Sequence, residues 1–473
     1  MANMTPTEDR QYGAKVAAVE PGGAEPIPLA ERHGRPLQLL WTWTSPNLEF
    51  ATVFVGVISV LFFGLTFWQA VGAIVLGSAL GAVSHGFLSS WGPDGGRAQM
   101  VLSRRAFGYR GNILPAGLNS LTAGVGWFAV NSVSGALALA ALTGLDRYLC
   151  LVIVVAAMLS LAYFGHNLIQ LFERFAFPVL AVVFVIGAVV ILGKSAPGAP
   201  VDPVPGGFWI ALGATFGYAA GWNPYAADYT RYLPPGSGRA AGIFAGVGLF
   251  LSCVVLKVVG AAAGTAVGAA DWDFDNPVSS VTGLLPGWLE QLTLLAICLG
   301  AIAANALNVY SSALSFTAMG VRLPTRSSRA AMAIVMGAAG FLVAVLGIDN
   351  IDSYEAFLLV IAYWIGPWLG VVFADRLMRR VRPGESVTTD PTYRNRAGVI
   401  AMLLAGVLSI WLFSHQSKYV GIVPSAFPAV GDLTFEVGFV LAFGLYTALH
   451  RAFAGPIRST ARDHAAATAA RRT

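Results

Sequence analysis

The sequence predicts an all-α polytopic membrane protein of about twelve transmembrane helices. Hydrophobic residues make up 56% of the 473-residue chain and charged residues only 11%, where soluble domains carry roughly 25%. The mean hydropathy is +0.67. The apolar residues fall in stretches of about 18 to 30, long enough at about 1.5 Å per residue to cross a hydrocarbon core of roughly 30 Å. Runs such as Ala331 to Leu346 are apolar on every side, so they are not alternating barrel strands. Lipid offers the backbone no other partner, and the spans are therefore helices.

In chain order the spans are expected near residues 40–65, 68–90, 111–143, 148–166, 175–195 and 208–230. Six more follow near 239–268, 289–317, 329–348, 354–375, 397–414 and 432–452. Residues 1–38 carry charges and prolines without an apolar core, so they are read as a mobile cytoplasmic tail rather than a signal peptide or a span. Residues 454–473 form a second cytoplasmic tail. Short cytoplasmic loops are enriched in Lys and Arg. Placing both termini inside puts 25 of the 29 Lys and Arg residues on the cytoplasmic side, leaving Arg147, Lys194, Lys418 and the intramembrane Lys257. These loops and tails account for the net charge of +5. Lipid headgroups are its expected partners, since no basic stripe with interleaved aromatics points to nucleic acid.

Cys150, Cys253 and Cys298 fall inside predicted helices and read as small apolar residues, neither disulfide partners nor metal ligands. Gly77 with Gly81, and Gly260 with Gly264 and Gly268, recur at the four-residue spacing that lets helices approach closely.

Two spans carry helix-breaking polar interiors. The first reads Trp41-Thr-Trp-Thr-Ser45-Pro46-Asn47-Leu-Glu49, and the sixth reads Gly221-Trp222-Asn223-Pro224-Tyr225-Ala-Ala-Asp228. Proline removes a donor and glycine relaxes the chain, so both segments can unwind, and unwound backbone at that depth lines a cavity. Breaks five helices apart are what an inverted five-plus-five repeat shows, with substrate at the midplane. The third span sets Trp127 and Asn131 four residues apart on one face, and the eighth sets Asn305 and Asn308 three apart on one face. Carboxamides in lipid need partners, so these faces look inward, either as interhelical ties or as ligand contacts. Their donor-and-acceptor pairs suit the edge of a heterocycle. No HExxH, GxSxG or phosphate-cradling loop is present, so nothing in the chain reads as an enzyme. A channel would need repeated polar rings along a pore, where this chain has two matched breaks and one cluster.

On these residues the chain resembles the nucleobase:cation symporter-1 family, in its purine and cytosine permease branch. The resemblance is most specific in Gly221-Trp-Asn-Pro-Tyr-Ala-Ala-Asp-Tyr-Thr-Arg-Tyr-Leu-Pro234 and Asn305-Ala-Leu-Asn-Val-Tyr-Ser-Ser312. It extends more loosely over about residues 35–450, including Arg97 to Gly111 and Tyr363 to Pro367. It implies a LeuT-type fold with a ten-helix core over 39–377 (repeats about 39–196 and 207–377), a cytoplasmic loop at 378–395 and two peripheral helices within 396–453. It also implies import of a nucleobase with a cation, by a monomer without cofactor or bound metal, in the inner or plasma membrane. By the same resemblance Trp127 and Trp222 would stack on the two faces of the base. Asn131 and Asn308 would read its edge with Asn305 beside them, and Ser45 would contribute at the first break. Departures at Ala304 and Leu307 leave the identity of the heterocycle open, among cytosine, purines, uracil, allantoin, hydantoins and vitamins, and a non-transporting sensor would keep the same pocket.

Sodium-dependent members place hydroxyl side chains where this chain has Ile302 and Ala303, so the coupling ion is expected to be a proton rather than sodium. Glu49, beyond the first break, is read as its acceptor or as the cap of the second half-helix. Lys257 is read as snorkelling to an interface, Asp228 and Arg231 as an ion pair or hinge, and His85 and His166 as surface or packing residues.

Overall fold

Each break is closed by local chemistry. In the computed structural model, which describes residues 15–16, 20, 23–273, 276–321, 328–347, 353–378 and 386–453, the first span is a helix at Gln38–Thr44, a 3-10 turn at Ser45–Asn47 and a second helix at Phe50–Leu61. The two helices are bent by 58°. Pro46 sits in the turn, and the Glu49 carboxylate caps the second helix by accepting from the N–H groups of Ala51 (2.7 Å) and Thr52 (3.0 Å). Those N–H groups have no intrahelical partner, so an anionic cap replaces the bonds lost at the break.

Eight further helices are each long and apolar enough to cross a membrane. They run from Phe67, Ile113, Arg147, His166, Gly238, Gly287, Ala356 and Arg396. Gly207–Ala220, Ser328–Gly347 and Thr434–Phe453 complete twelve spans among the described residues. Two boundaries and one helix interior depart from expectation. The fifth helix starts at His166, not near 175, and runs unbroken to Lys194. The sixth ends at Ala220, and a 3-10 turn at Asn223–Tyr225 and further turns carry the chain on. The third contains a π-helical turn at Thr122–Trp127. Single π turns inside α-helices occur frequently at functional sites.

The third and eighth helices pack side by side through the centre, and the second half of the first span lies on the seventh. A Cβ at Gly56 would lie 1.7 Å from the Lys257 carbonyl oxygen, and one at Gly260 would lie 1.8 Å from that of Val53. Gly77 and Gly81 face the sixth helix closely too, with a Cβ 2.1 Å from Thr215 Oγ1 and 2.6 Å from Ala219 Cβ. The small-residue spacing thus does its expected packing, except that Gly268 has open space around it and instead ends its helix at φ +76°. All three cysteines are free and buried. The twelfth helix packs on the tenth and eleventh, with Phe216 stacked on Phe435 at 4.0 Å tying it to the sixth.

The N-terminal segment is not wholly a free tail. Glu20 is 1% exposed and accepts from Arg231 Nη2 (2.6 Å), Tyr232 Oη (2.6 Å) and Tyr310 Oη (3.0 Å). Residues 1–14 and 454–473 of the two expected tails lie outside the described residues.

Candidate functional site

Where the first, third, sixth and eighth spans meet, the polar side chains singled out in the sequence come together. Asn305 is the hub: its Oδ1 accepts from Asn131 Nδ2 and from Asn308 Nδ2, both at 3.1 Å. Its own Nδ2 donates to the Phe128 carbonyl (2.8 Å) and to Ser132 Oγ (3.1 Å). Asn308 Oδ1 accepts from Tyr225 Oη (3.2 Å), which brings the broken sixth span into the cluster. Asn131 Oδ1 is buried and has no hydrogen-bond partner among the described residues. An unsatisfied buried acceptor costs about 1–3 kcal/mol, a penalty that a ligand N–H would remove.

The aromatic residues flank this cluster. Trp127 packs edge-on against Tyr218 (5.2 Å) and Phe357 (5.3 Å). Its Nε1 reaches the break in the sixth span, where a Cβ on Gly221 would meet it at 3.1 Å. Trp222, the next residue, donates from Nε1 to Asn47 Oδ1 (3.0 Å) and packs edge-on on Trp43 and Tyr225. Of the two indoles expected on opposite faces of a ligand, Trp127 thus reaches Gly221 from the third helix, while the Trp222 side chain is turned to Asn47, Trp43 and Tyr225. Tyr354 and Phe357, beside Trp127, line a largely apolar cavity of about 230 Å³ that also touches Phe50, Phe54 and Val130.

Ser45 and Lys257 take up positions that the sequence did not indicate, while Glu49 takes the capping position that was one of its two readings. Ser45 turns toward Glu173 on the fifth helix rather than toward the carboxamides, and the two groups approach without closing an ordinary hydrogen bond. Glu49 keeps its capping bonds and also accepts from Tyr218 Oη (3.0 Å). Lys257 does not snorkel: it is fully buried, and Nζ donates to Ser78 Oγ (3.1 Å) and the Thr215 carbonyl (3.0 Å) and lies 4.7 Å from the Tyr218 ring centre. The expected Asp228 and Arg231 ion pair gives way to another. Arg231 pairs with Glu20, while Asp228 accepts from the Gln99 backbone N–H at 2.8 Å. His85 is a packing residue, fully buried and edge-on to Trp43 at 4.1 Å.

Sequence reasoning missed Tyr218, Tyr225 and Glu173. Tyr225 lies inside the break motif and was legible there. Glu173 was not, because the fifth span was expected to begin two residues after it.

The family model described as a permease for cytosine/purines, uracil, thiamine and allantoin matches residues 26–438. The chain belongs to this family. Among its relatives, a purine-cytosine permease of Emericella nidulans is 28% identical, over 91% of this chain and 88% of the relative. The cytosine permease of Escherichia coli K12 is 27% identical over 82% and 88%. The fold matches that of Mhp1, a nucleobase-cation-symport-1 family transporter solved in a closed conformation with bromovinylhydantoin bound, at TM-score 0.74 and 22% identity, covering 94% of this chain and 98% of Mhp1. A sodium-coupled sialic acid symporter matches at TM-score 0.62 and 12% identity, over 90% and 92%. The chain is thus a multi-pass member of the permease family with the LeuT-type arrangement of five-plus-five core helices and two peripheral ones.

Proposed function

We propose that the protein imports a nucleobase, cytosine or a purine, by proton symport through alternating access, with both termini cytoplasmic and the monomer as the working unit. One observation carries the substrate reading: Asn131 Oδ1, without a hydrogen-bond partner among the described residues, belongs to a buried carboxamide array on the third and eighth helices, and Trp127 of that third helix reaches the break in the sixth span that carries Trp222. An aromatic face contributes on the order of 1–3 kcal/mol of stacking by analogy with single-stranded nucleic acid, and each edge contact adds discrimination. In this reading Trp127 and Trp222 hold the two faces of the base. Asn131 and Asn308 meet its edge, Asn305 orients both, and Ser45 belongs to the moving break. The names of the relatives, purine-cytosine and cytosine permeases, support the same choice of substrate.

Proton coupling is supported by Ile302 and Ala303, whose side chains offer no oxygen to a hard cation such as sodium. It is supported too by two buried carboxylates beside the first break, Glu49 and Glu173. The basic end of the bundle, with Arg97, Arg104, Arg105 and Arg231, supports the orientation.

Uptake of radiolabelled cytosine and hypoxanthine into cells expressing the protein tests both parts. Uptake is expected to persist when sodium is replaced and to collapse when the proton gradient is dissipated. Absence of uptake or competition by either base refutes the substrate, and strict sodium dependence refutes the proton.

A further inference from the structure

Glu173 is the buried acid for which the binding site has no use. It lies seven residues into the fifth helix from His166, about 10 Å along the axis at about 1.5 Å per residue. The side chain is fully buried, and neither carboxylate oxygen has a hydrogen-bond partner among the described residues. Its sequence neighbour Arg174 is exposed and points away. The register against the first span is fixed one turn earlier, where Thr42 Oγ1 donates to Gln170 Oε1 at 3.0 Å. Three residues on along each helix, Ser45 and Glu173 face one another, and the Ser45 hydroxyl is likewise buried and unpartnered.

The ionisable groups on the elements packed around Glu173 do not neutralise it. From the sixth span the Tyr229 phenol faces it and donates to the Leu307 carbonyl at 3.3 Å. On the seventh helix Lys257 is turned to Ser78 and Thr215. On the eighth the Tyr310 hydroxyl donates to Glu20. The first span presents Thr42, Trp43 and Ser45, none of them charged.

Glu49 is the opposite case. Its carboxylate accepts from two backbone N–H groups and the Tyr218 hydroxyl, the surroundings of an anion. A carboxylate with no donors cannot be held at the burial of Glu173 without a severe desolvation cost, whereas a carboxylic acid needs one acceptor, and Ser45 Oγ is at hand.

We propose that Glu173, rather than Glu49, carries the coupling proton. A proton from the outer side adds to the carboxylate, and the resulting acid donates its O–H to Ser45 Oγ while the first half of the first span is docked on the fifth helix. When that half-helix moves away, water reaches the carboxyl group and the proton leaves to the cytoplasm as the base does. One proton is taken up and one released per cycle, and no other reactant is consumed. This inference rests on the proton-symport reading of the protein.

Purified wild-type, E173Q, E173D and E49Q proteins in liposomes are tested in two assays. One is accumulation of radiolabelled cytosine or hypoxanthine under an imposed pH gradient, and the other is counterflow exchange of the same base with no gradient. Wild type and E49Q are expected to accumulate the base when the outside is acid. E173Q is expected to lose accumulation, ending with equal concentrations inside and out, while counterflow persists, an outcome a merely structural role does not give. E173D is expected to accumulate with a displaced pH midpoint, and it serves where the glutamine variant fails to fold. Accumulation by E173Q at the wild-type level, or an unchanged pH profile in E173D, overturns the assignment to Glu173 alone. Wild-type accumulation that ignores the pH gradient and follows sodium overturns the proton-symport reading and this inference with it.

Discussion

Asn131 and Asn305 are adjacent carboxamides with opposite expected roles, and substituting each by alanine separates them. Asn131→Ala removes one donor to Asn305 Oδ1, which still accepts from Asn308 Nδ2 at 3.1 Å, so no protein group is left orphaned. The stability cost is that of one neutral hydrogen bond, about 0.5–1.5 kcal/mol. The same change removes the free acceptor Asn131 Oδ1 and leaves a bound base with an unmet N–H, about 1–3 kcal/mol, or roughly a 5- to 150-fold rise in KM. Asn305→Ala removes the acceptor of two buried donors and the donor to the Phe128 carbonyl. Two orphaned donors cost about 2–6 kcal/mol of stability. Thermal unfolding in detergent, read alongside uptake kinetics, checks the contrast: Asn305→Ala should unfold many degrees lower, and Asn131→Ala should lose at most a few degrees while KM rises. Wild-type KM in Asn131→Ala, or an unchanged Tm in Asn305→Ala, refutes the division of labour.

Other substitutions test the surroundings. Gly221→Ala places a methyl 3.1 Å from Trp127 Nε1 and should push the indole by a few tenths of an ångström. Uptake should then weaken several-fold with little loss of stability, and unaltered kinetics would count against Trp127 lining the site. Glu49→Gln removes an anionic cap whose loss typically costs about 1 kcal/mol, so Tm should fall by a few degrees with the dependence on pH gradient retained. Lys257→Met replaces a fully buried ammonium that has neutral hydrogen-bond partners, and Tm should hold or rise; a fall of several degrees would show that the charge is needed. Glu20→Gln leaves Arg231 buried without its counter-charge, expected to cost about 3–5 kcal/mol, and should raise labelling of cysteines introduced singly at the cytoplasmic ends of helices six and eight.

The two breaks were legible because their causes are local. Pro46, Gly221 and Pro224 act on their own turns, and the spacing of Asn305 and Asn308 fixes a shared face without any tertiary information. What stayed hidden depends on neighbours distant in sequence. The π turn before Trp127 is a change of hydrogen-bond register with no proline to announce it. Glu173 sits beside Arg174, and such a pair reads as an interface; only the packed bundle turns one side chain inward and the other out. Lys257 looks like a snorkelling residue until the second and sixth helices supply Ser78 and Thr215. Glu20 belongs to a stretch whose composition suggests a free tail, and its partners, His166, Arg231, Tyr232 and Tyr310, lie far along the chain.

The carboxamide array is neutral, so a proton on a nearby acid does not alter the edge that a base would meet. Coupling must then be mechanical, and the chain between the two halves of the first span has the geometry for it. Ser45 faces Glu173 on the fifth helix, Asn47 Oδ1 accepts from Trp222 in the sixth span, and Glu49 accepts from Tyr218 one turn earlier on that span. Three alternate residues of one short segment thus touch the proposed proton site, one of the two stacking indoles and the anchor of the outer half-helix. Movement of this segment changes all three contacts together. Movement of the half-helix takes Ser45 from Glu173, which then loses its proton to water, and the same movement draws Asn47 from Trp222. In this account the base and the proton leave together because one strand of backbone holds both, without any direct contact between them.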